Sequence, residues 1–483
     1  MNIVFVASEA TPFIKTGGLA DVIGSLPKAL QEEGNSVHVI IPKYKLIAEE
    51  FKQQMETVYR GNISLGWRQQ YCGVDVLKQD GITYYFIDNE YYFGRDQIYG
   101  YSDAFDEAER FIFFSKAMLE VLPQLMDSPD ILHLHDWQTA MVSIYMHAIY
   151  KQQAYYKNVK TVFTVHNLKY QGVFSRDLLG DVIELDRAYF HTEALEYHGC
   201  LNLMKGALLY SDVITTVSDT YTKEIQYPFF GEGLDGLLRK RQKELYGIVN
   251  GIDTASYNSN TDLALTTRFN DLKGKYENKI ALQQKVGLPI KSVPMVAIIS
   301  RLVEQKGLDL FIHIMDELLE DDIQVVILGT GEDKYQHLLS EIGSKHSDKV
   351  ALQFFFDEGL SRQIYAAADL LLVPSLFEPC GLSQLIALRY GAVPVVRETG
   401  GLKDTIKPFN EVTKEGNGFS FTNYNAHDLL FTIRRALSFY NDKTMWEQIV
   451  ANGRLEDFSW NQSAKKYNEI YEQLCPKQGT VTS

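Results

Sequence analysis

The chain has 483 residues, of which 45% are hydrophobic and 23% are charged, as in soluble globular proteins of about two to four domains. Its formal net charge of −15 argues against a nucleic-acid partner, because binding to phosphates requires a basic face. The four cysteines form no CxxC pair and no apolar run reaches the roughly 18 residues of a membrane span, so we expect a cytoplasmic protein with neither a disulfide framework nor a membrane partner.

The first residues predict a strand–helix–strand unit and not a signal peptide, since no basic segment precedes the apolar run. Residues 3–7 are apolar and rich in β-branched side chains, and residues 19–30 repeat apolar side chains at helical spacing. Lys15, Gly17 and Gly18 lie in the connection, where glycine lets a backbone approach an anion and lysine adds charge. A tight turn with a solvated lysine explains these residues equally well, because they form no GxGxxG fingerprint.

Polar side chains follow two further predicted strands. Residues 51–93 alternate in the manner of β-hairpins that decorate an α/β core, and residues 106–122 predict a helix. The next two strands end at Asp136 and His166, and ligands bind at the carboxyl ends of parallel strands. We interpret His133 as a core histidine and expect no metal at His133, His135 and Asp136, because no further ligand pattern accompanies them.

A polar segment separates this array from a second series of strands and helices. A strand leads into the Asn250-Gly251 turn, and residues 253–272, rich in Asn, Asp, Thr and Ser, predict an interdomain linker. Strands then alternate with predicted helices, at 295–300, 324–328, 350–356, 370–373 and 393–396. This pattern predicts two doubly wound α/β domains with a cleft between them, followed by an amphipathic helix at 460–474.

The second array carries a cationic pair and a carboxylate in its connections. Arg301 and Lys306 lie between a strand and a helix, and a guanidinium fork beside an ammonium suits a diphosphate. A surface salt bridge to Glu304, worth only about 0–1 kcal/mol, is the alternative. Glu378 lies at the tip of a strand-to-helix turn, and the glycine turn at Gly331 adds a weak indication of nucleotide binding.

A set of motifs, in order along the chain, resembles glycosyltransferase family 5, which contains the bacterial glycogen synthases and the plant starch synthases. The motifs are Lys15-Thr16-Gly17-Gly18-Leu19-Ala20-Asp21-Val22, His135-Asp136-Trp137, Thr164-Val165-His166-Asn167, Asn250-Gly251-Ile252-Asp253, Ser300-Arg301-Leu302 with Gln305-Lys306-Gly307, and Phe377-Glu378-Pro379-Cys380-Gly381-Leu382. The resemblance covers the chain from residue 3 to about residue 467.

The resemblance implies a GT-B fold, in which two Rossmann-like domains face a deep cleft and a C-terminal helix crosses back to the first domain. We assign residues 1–246 to an N-terminal acceptor-side domain, 247–459 to a C-terminal nucleotide-sugar domain, and 460–483 to the crossing helix. The implied activity transfers glucose from ADP-glucose to the non-reducing end of an α-1,4-glucan such as glycogen, with retention of configuration. It implies no cofactor and no metal, since ADP-glucose is a substrate.

The resemblance also implies roles for individual residues. Asp136 and His166 would face the glucosyl group, Arg301 and Lys306 would neutralise the diphosphate, and Glu378 would bind the transferred glucose. The remaining substrate-binding residues implied by the motifs are Lys15, Gly17, Gly18, Asp21, Asn250, Gly331, Phe356, Cys380, Gly381 and Leu382. Retention is compatible with a covalent carboxylate intermediate or with same-face transfer. We favour same-face transfer, with the leaving diphosphate helping to deprotonate the acceptor hydroxyl.

Two segments depart from patterns found in relatives. Phe355-Phe356 replaces a common Gly-Tyr beside the adenine, which keeps stacking but removes a hydroxyl. Asp106 to Phe111 departs from a common Asp-Asn-x-x-Arg-Phe motif. Ile386 stands where many other GT-B transferases carry a second glutamate, which argues against a UDP-sugar transferase or an epimerase as the alternative. A non-catalytic glucan-binding paralogue is the other alternative, and the intact set of charged residues argues against it.

Overall fold

The computed structural model describes residues 1–100 and 103–476, which form two compact units. Of the described residues, the N-terminal unit comprises 1–100, 103–217, 222–251 and 460–476, and the C-terminal unit comprises Ser218–Tyr221 and Ile252–Ser459. The change of unit after Gly251 comes slightly later in the chain than the predicted bound at 246/247.

The N-terminal unit is built on a sheet that has nine strands in the described residues. A parallel array, β12-β11-β7-β6-β1-β2-β5, continues into antiparallel β4 and β3. The predicted hairpin segment therefore extends the main sheet, because β5 pairs in parallel with β2. The strands are β1 (Asn2–Val6), β2 (Ser36–Pro42), β3 (Glu56–Leu65), β4 (Arg68–Gln79), β5 (Ile82–Asp88), β6 (Ile131–His135), β7 (Lys160–Val165), β8 (Val173–Phe174), β9 (Glu196–Tyr197), β10 (Cys200–Asn202), β11 (Val213–Thr216) and β12 (Leu245–Gly247), of which β8, β10 and β9 form a small second sheet.

Helices connect these strands. Helix α1 starts at Gly18, the second glycine of the pair, as the sequence predicts, and buries its apolar stripe from Leu19 to Leu30. The helices up to residue 240 are α1 (Gly18–Glu32), α2 (Glu49–Lys52), α3 (Glu90–Phe93), α4 (Ala104–Leu125), α5 (Ala140–Ala148), α6 (Leu178–Asp181), α7 (Leu203–Tyr210), α8 (Asp219–Glu224) and α9 (Asp235–Lys240). The close match at α1 follows from its local periodicity, which needs no long-range partner.

The C-terminal unit contains a parallel sheet with six strands in the described residues, ordered β15-β14-β13-β16-β17-β18. Alternate residues of β13 enter two separate cores, Val296 and Ile298 on one face and Met295 and Ala297 on the other. Burial on both faces is the mark of a doubly wound sheet, as predicted. The strands are β13 (Met295–Ile299), β14 (Gln324–Leu328), β15 (Val350–Gln353), β16 (Leu370–Val373), β17 (Val393–Arg397) and β18 (Phe419–Phe421).

The interpretation of residues 253–272 as a linker is wrong, because this segment packs onto the C-terminal unit. Leu265 and Phe269 are buried in one of its cores, and the Asp262 carboxylate pairs with Arg362 at 3.2 Å and accepts from the Tyr390 hydroxyl. Its polar composition reflects loop structure with many exposed side chains, although the segment as a whole is anchored on the unit. The helices that follow are α10 (Leu272–Val286), α11 (Leu308–Leu318), α12 (Asp333–Lys345), α13 (Glu358–Ala367), α14 (Ser383–Arg389), α15 (Gly400–Thr405), α16 (Ala426–Tyr440) and α17 (Lys443–Leu455).

The last helix, α18 (Trp460–Leu474), returns to the N-terminal unit. Its amphipathic face buries Tyr467 and Tyr471 completely, and the Tyr471 hydroxyl lies 2.7 Å from Nδ1 of His133. Ser463 Oγ donates to the Val249 carbonyl at 2.7 Å. A helix from the far end of the sequence is thus part of the N-terminal core and hydrogen-bonds to a histidine of β6.

Candidate active site

A cavity of about 210 Å³ lies at the carboxyl ends of β13 and β16 in the C-terminal unit. Ligands bind at this edge of a parallel sheet. From β13 the next strands along the chain, β14 and β15, extend the sheet on one side, and β16 then lies on the other side, so the cavity is at the point where the strand order changes. The structure brings Arg301, Lys306, Glu378, Gly381 and Leu382 together in its lining.

Lys306 and Glu378 form an ion pair in this cavity, although they are far apart in sequence. The Lys306 ammonium lies 2.6 Å from Glu378 Oε2, and Ser375 Oγ donates to the same oxygen at 3.0 Å. Both side chains are mostly buried, with 19% and 10% exposed. The alternative that Lys306 forms a salt bridge with Glu304 is therefore wrong. The sequence analysis treats Lys306 and Glu378 as separate candidates, and the structure shows that they form one ion pair.

Arg301 is the second cation of the cavity, and it is exposed. Among residues 1–100 and 103–476, no carboxylate lies within ion-pair distance of its guanidinium. The backbone beside it is fixed, because Leu302 N–H donates to Thr330 O at 2.9 Å and Glu332 N–H donates to Leu302 O at 2.8 Å. A side chain at Gly331 would place its Cβ 2.2 Å from the Leu302 carbonyl oxygen, so only glycine allows this approach.

The turn that carries Glu378 is held by residues that the sequence interpretation missed. Arg397, on β17, donates from Nε to the Ser375 carbonyl at 2.8 Å and also contacts the Leu376 carbonyl. Gly400 packs against the same segment with φ +44°, and a Cβ at this position would clash with the Glu378 carbonyl oxygen at 1.9 Å. An arginine at the end of an apolar strand was the available signal in the sequence.

The remaining C-terminal candidates have different surroundings. Phe356 is 74% exposed and lies beyond the end of β15, which stops at Gln353, so that its ring presents a free face. Cys380 is buried and is not among the residues that line the cavity. The carbonyl of Gly381 is held by Gln384 Nε2 at 2.8 Å, which fixes the start of α14.

In the N-terminal unit, Asp136 follows β6 in a strained backbone conformation, with φ +57° and ψ −179°. Non-glycine residues adopt this region at a cost of about 1–3 kcal/mol, and such strain concentrates at functional sites. The Asp136 carboxylate accepts from the His166 backbone N–H at 2.8 Å. Burial nevertheless raises the pKa of Asp136 to about 7, against the lowering effect of the His166 and Asn167 N–H groups.

His166 follows the neighbouring strand β7 and contacts a second histidine. Its Nε2 lies 2.9 Å from Nδ1 of His135, and burial lowers the pKa of His166 to about 3, so the ring is neutral near pH 7. His133 is the core histidine that we predicted, with its two ring nitrogens 2.6 Å from Thr164 Oγ1 and 2.7 Å from the Tyr471 hydroxyl. No group of three or more His, Cys, Asp or Glu side chains in the described residues could hold a metal ion.

Lys15 and Asp21 form a half-exposed ion pair of 2.7 Å beside Gly17 and Gly18 at the start of α1. An exposed pair contributes little to stability, so a ligand can exchange for Asp21 at low cost. Glu9, which sequence interpretation missed, accepts from Thr16 N–H at 2.5 Å and from Thr16 Oγ1 at 3.0 Å. Glu9 lies three residues beyond the end of β1, in the connection at the carboxyl edge of the sheet, and this position was the available signal.

Asn250, the remaining candidate, is buried in the N-terminal unit, and no residue within 1–100 or 103–476 forms a hydrogen bond with its side-chain Oδ1. A buried amide oxygen without a donor costs free energy unless a ligand or a water supplies one. This orphaned acceptor agrees with a position that a ligand hydroxyl or amine completes.

The strained, buried carboxylate leads to a stability prediction for Asp136→Asn. The pKa of Asp136 is about 7 in the folded protein against an ordinary 3.8, so its stabilising contribution is complete below pH 3.8 and is lost as the pH rises to about 7. We expect the variant to be more stable than the wild type by roughly 1–3 kcal/mol at pH 8 and equal to it near pH 4. Chemical denaturation at both pH values measures this.

Asp127→Asn, at an exposed position after α4, is the matched control and should change stability at neither pH. Equal stability of Asp136→Asn and wild type at pH 8 would show that the ionised carboxylate is well solvated in the folded chain.

Comparison with known proteins places the chain. The family described as the starch synthase catalytic domain matches residues 2–240, and glycosyl transferases group 1 matches residues 281–454. A glycogen synthase of Geobacillus stearothermophilus is 51% identical over 481 residues, which cover 99% of each chain. The chain belongs to the starch synthase family of glycosyltransferases.

Further relatives are similar to the chain in sequence and in structure. A glycogen synthase of Alkaliphilus metalliredigens is 50% identical and covers 98% of this chain and 100% of its own. The solved catalytic domain of Arabidopsis thaliana starch synthase IV, bound to ADP and acarbose, has a TM-score of 0.90 at 36% identity over 98% of this chain and 99% of its own. A sucrose-phosphate synthase of Thermosynechococcus elongatus shares the fold, with a TM-score of 0.60 at 16% identity over 98% of both chains.

These relatives confirm two predictions from the sequence of this starch synthase family member. The two-domain GT-B glycosyltransferase fold is confirmed by the matched families and the structural relative. The enzyme class, a glucosyltransferase of glycogen or starch elongation, is also confirmed.

In the part of the chain that the structure describes, no helix has the length and apolar character needed to cross a membrane.

Proposed function

We propose that the chain elongates an α-1,4-glucan at its non-reducing end with glucose from ADP-glucose, and that it retains the anomeric configuration. The observation that carries this proposal is the cavity in which Arg301, Lys306 and Glu378 meet at the strand ends of a doubly wound sheet. The ADP bound to the related starch synthase IV supports the choice of nucleotide.

The leaving diphosphate is held by the two cations of the C-terminal unit. Arg301 is exposed and makes no ion pair with any described residue, so it is available to the donor from solution. Lys306 exchanges part of its contact with Glu378 for a phosphate oxygen, and both cations stabilise the negative charge that grows as the sugar leaves. This local positive charge also offsets the repulsion of an anionic donor by a chain with net charge −15.

Glu378 then binds the transferred glucose. A carboxylate released from Lys306 has lone pairs for sugar hydroxyls, while Ser375 continues to donate to one of its oxygens. The backbone of Cys380, Gly381 and Leu382 follows in the same turn. Phe356, which is exposed, stacks on the adenine, and the turn at Gly331, whose backbone packs closely on that of Leu302, lies beside the nucleotide next to Arg301.

The N-terminal unit supplies Asp136 and His166 to the glucosyl group and Lys15, with Gly17 and Gly18, to the sugar nucleotide. Asp21 releases Lys15 for this contact, and Asn250 Oδ1 gains a donor. Asp136 has a raised pKa and accepts from the backbone, so it is a poor nucleophile at neutral pH. This favours same-face transfer, in which the leaving diphosphate takes the proton of the acceptor hydroxyl.

The glucan acceptor binds in the N-terminal unit, in a cavity of about 520 Å³. One of the residues that line this cavity, Trp137, directly follows Asp136 in the sequence. Trp137, Tyr170, Phe174 and Tyr197 provide ring faces for sugar rings, and Glu107 and Glu232 are among its polar residues. The chain needs no cofactor for these steps, and we expect it to work in the cytoplasm, where nucleotide sugars are available.

A donor-competition assay tests the proposal. The purified chain is given glycogen with ADP-glucose or with UDP-glucose, and incorporation of labelled glucose into polymer is measured. We expect incorporation from ADP-glucose with kcat/KM at least about tenfold higher than from UDP-glucose, which requires only about 1.4 kcal/mol of discrimination. A preference for UDP-glucose would overturn the donor assignment, and incorporation from neither would favour the non-catalytic glucan-binding alternative.

A further inference from the structure

His135 is a buried residue to which the mechanism so far gives no part. It ends β6 one residue before Asp136, and among the described residues its ring forms a hydrogen bond only with His166, whose Nε2 lies 2.9 Å from Nδ1 of His135. Its other nitrogen, Nε2, is buried and has no hydrogen-bond partner in the part of the chain that the structure describes. Burial lowers the pKa of both His135 and His166, so both rings are neutral and each carries one N–H. One of these two protons lies in the hydrogen bond between the rings.

Two arrangements of that proton are possible, and they differ in the atom that is left unpaired. If His166 donates from Nε2, then His135 carries its proton on Nε2, which becomes a buried N–H without an acceptor. If His135 donates from Nδ1, only a lone pair on its Nε2 stays unpaired. Buried N–H groups without an acceptor are rarer and less tolerable than unpaired acceptors, so the second arrangement is favoured.

The rings around His135 offer no alternative acceptor. Phe5 stacks on it at a centroid distance of 5.5 Å and an interplanar angle of 15°, so an in-plane N–H of His135 does not point at the Phe5 ring. His133 packs against it at 4.3 Å, but both nitrogens of His133 are engaged by Thr164 and Tyr471. If Nε2 of His135 carried the proton, none of these rings would accept its N–H.

From this geometry we infer that His135 is a positioning residue that fixes His166 as the Nδ1–H tautomer. His166 then presents an N–H donor at Nδ1. No described residue forms a hydrogen bond with this nitrogen. It is not one of the buried polar atoms that lack a partner, whereas Nε2 of His135 is. Resting on the proposed role of His166 beside the glucosyl group, this makes the ring a hydrogen-bond donor to a sugar hydroxyl oxygen and removes it as a base.

Nuclear magnetic resonance of the full chain, labelled with ¹⁵N in its 11 histidines, reads the tautomer without any substrate. Two-bond correlations between ring carbon-bound protons and nitrogens show which nitrogen is protonated, and the His166 signals are those lost in His166→Gln. We expect Nδ1 of His166 protonated and Nε2 bare. A His166 ring protonated at Nε2 in the wild type would overturn the inference, whatever the enzyme transfers.

Two variants of His135 separate positioning from packing. Asparagine places an amide N–H near the position of Nδ1, whereas leucine fills the space without a donor. We expect His135→Leu to lose the pure Nδ1–H signature of His166 and to lower kcat about 10–100-fold, and His135→Asn to keep the signature and most of the activity. His133→Leu, equally buried on β6, is the control for packing and should keep the signature. Equal losses in His135→Leu and His135→Asn, with an unchanged signature, would show that the ring acts only by packing.

Discussion

Lys306→Ala is expected to lower kcat by about 10²–10³-fold, which corresponds to roughly 3–4 kcal/mol of lost transition-state stabilisation. The reason is that Lys306 supplies charge at the diphosphate in a largely buried cavity, where 19% of its side chain is exposed and water screens it little. Arg301→Ala is expected to act in the same direction. Steady-state kinetics at saturating glucan, with ADP-glucose varied, measures both effects.

Lys345→Ala is the control for removing a positive charge from the same unit. Lys345 is exposed in the last turn of α12 and does not line the cavity, so its loss should leave kcat unchanged. Near-normal turnover in both Arg301→Ala and Lys306→Ala would sink the electrostatic assignment, while a loss confined to glucan affinity would move these residues to the acceptor side.

Glu378→Ala is expected to have opposite effects on turnover and on nucleotide affinity. In the ligand-free chain Glu378 neutralises Lys306 at 2.6 Å, so that removing the carboxylate frees the ammonium for the diphosphate. We expect ADP to bind up to about tenfold more tightly, a gain of about 1.4 kcal/mol. Turnover should fall by about 10²-fold or more, because the transferred glucose loses its carboxylate partner. Calorimetric titration with ADP and initial rates measure the two quantities.

Glu304→Ala is the matched control, since Glu304 is an exposed carboxylate only two positions from Lys306 and does not line the cavity. It should alter neither ADP affinity nor turnover. In the double variant of Lys306 and Glu378 the gain in ADP affinity should vanish, because neighbouring residues in one ion pair are not additive. Weaker ADP binding in Glu378→Ala would contradict the competition between Glu378 and the diphosphate.

Local patterns in the sequence predict much of the fold. The bounds of β14 and of α18 agree with the predicted ranges 324–328 and 460–474, because each depends on the periodicity of its own residues. The strand order of the C-terminal sheet and the extension of the N-terminal sheet by β5 could not be predicted in this way. They depend on pairing between strands that are distant in sequence, which periodicity does not encode.

The candidate site shows the same division. Strand-end positions identify Asp136, His166, Arg301 and Glu378 correctly as residues at the carboxyl edges of their sheets. The pairing of Lys306 with Glu378 requires two connections of the fold to meet, and neither connection indicates the other in the sequence.

The misread segment 253–272 has a related cause. Its many Asn, Asp, Thr and Ser residues indicate irregular backbone, but two apolar side chains within it, Leu265 and Phe269, suffice to bury it against the C-terminal unit. Composition therefore distinguishes loops from helices and strands better than it distinguishes packed loops from linkers.

The linkage that the chain forms is the most direct test of the proposed activity. The wild type and Lys306→Ala are incubated with ADP-glucose carrying isotope-labelled glucose and a short α-1,4-glucan, and the product is read by nuclear magnetic resonance. We predict that the wild type adds a labelled α-1,4-linked residue at the non-reducing end and that Lys306→Ala adds about 10²-fold less or lower still. A β-linked product, or release of free glucose without extension, would contradict retaining glucosyl transfer by this chain.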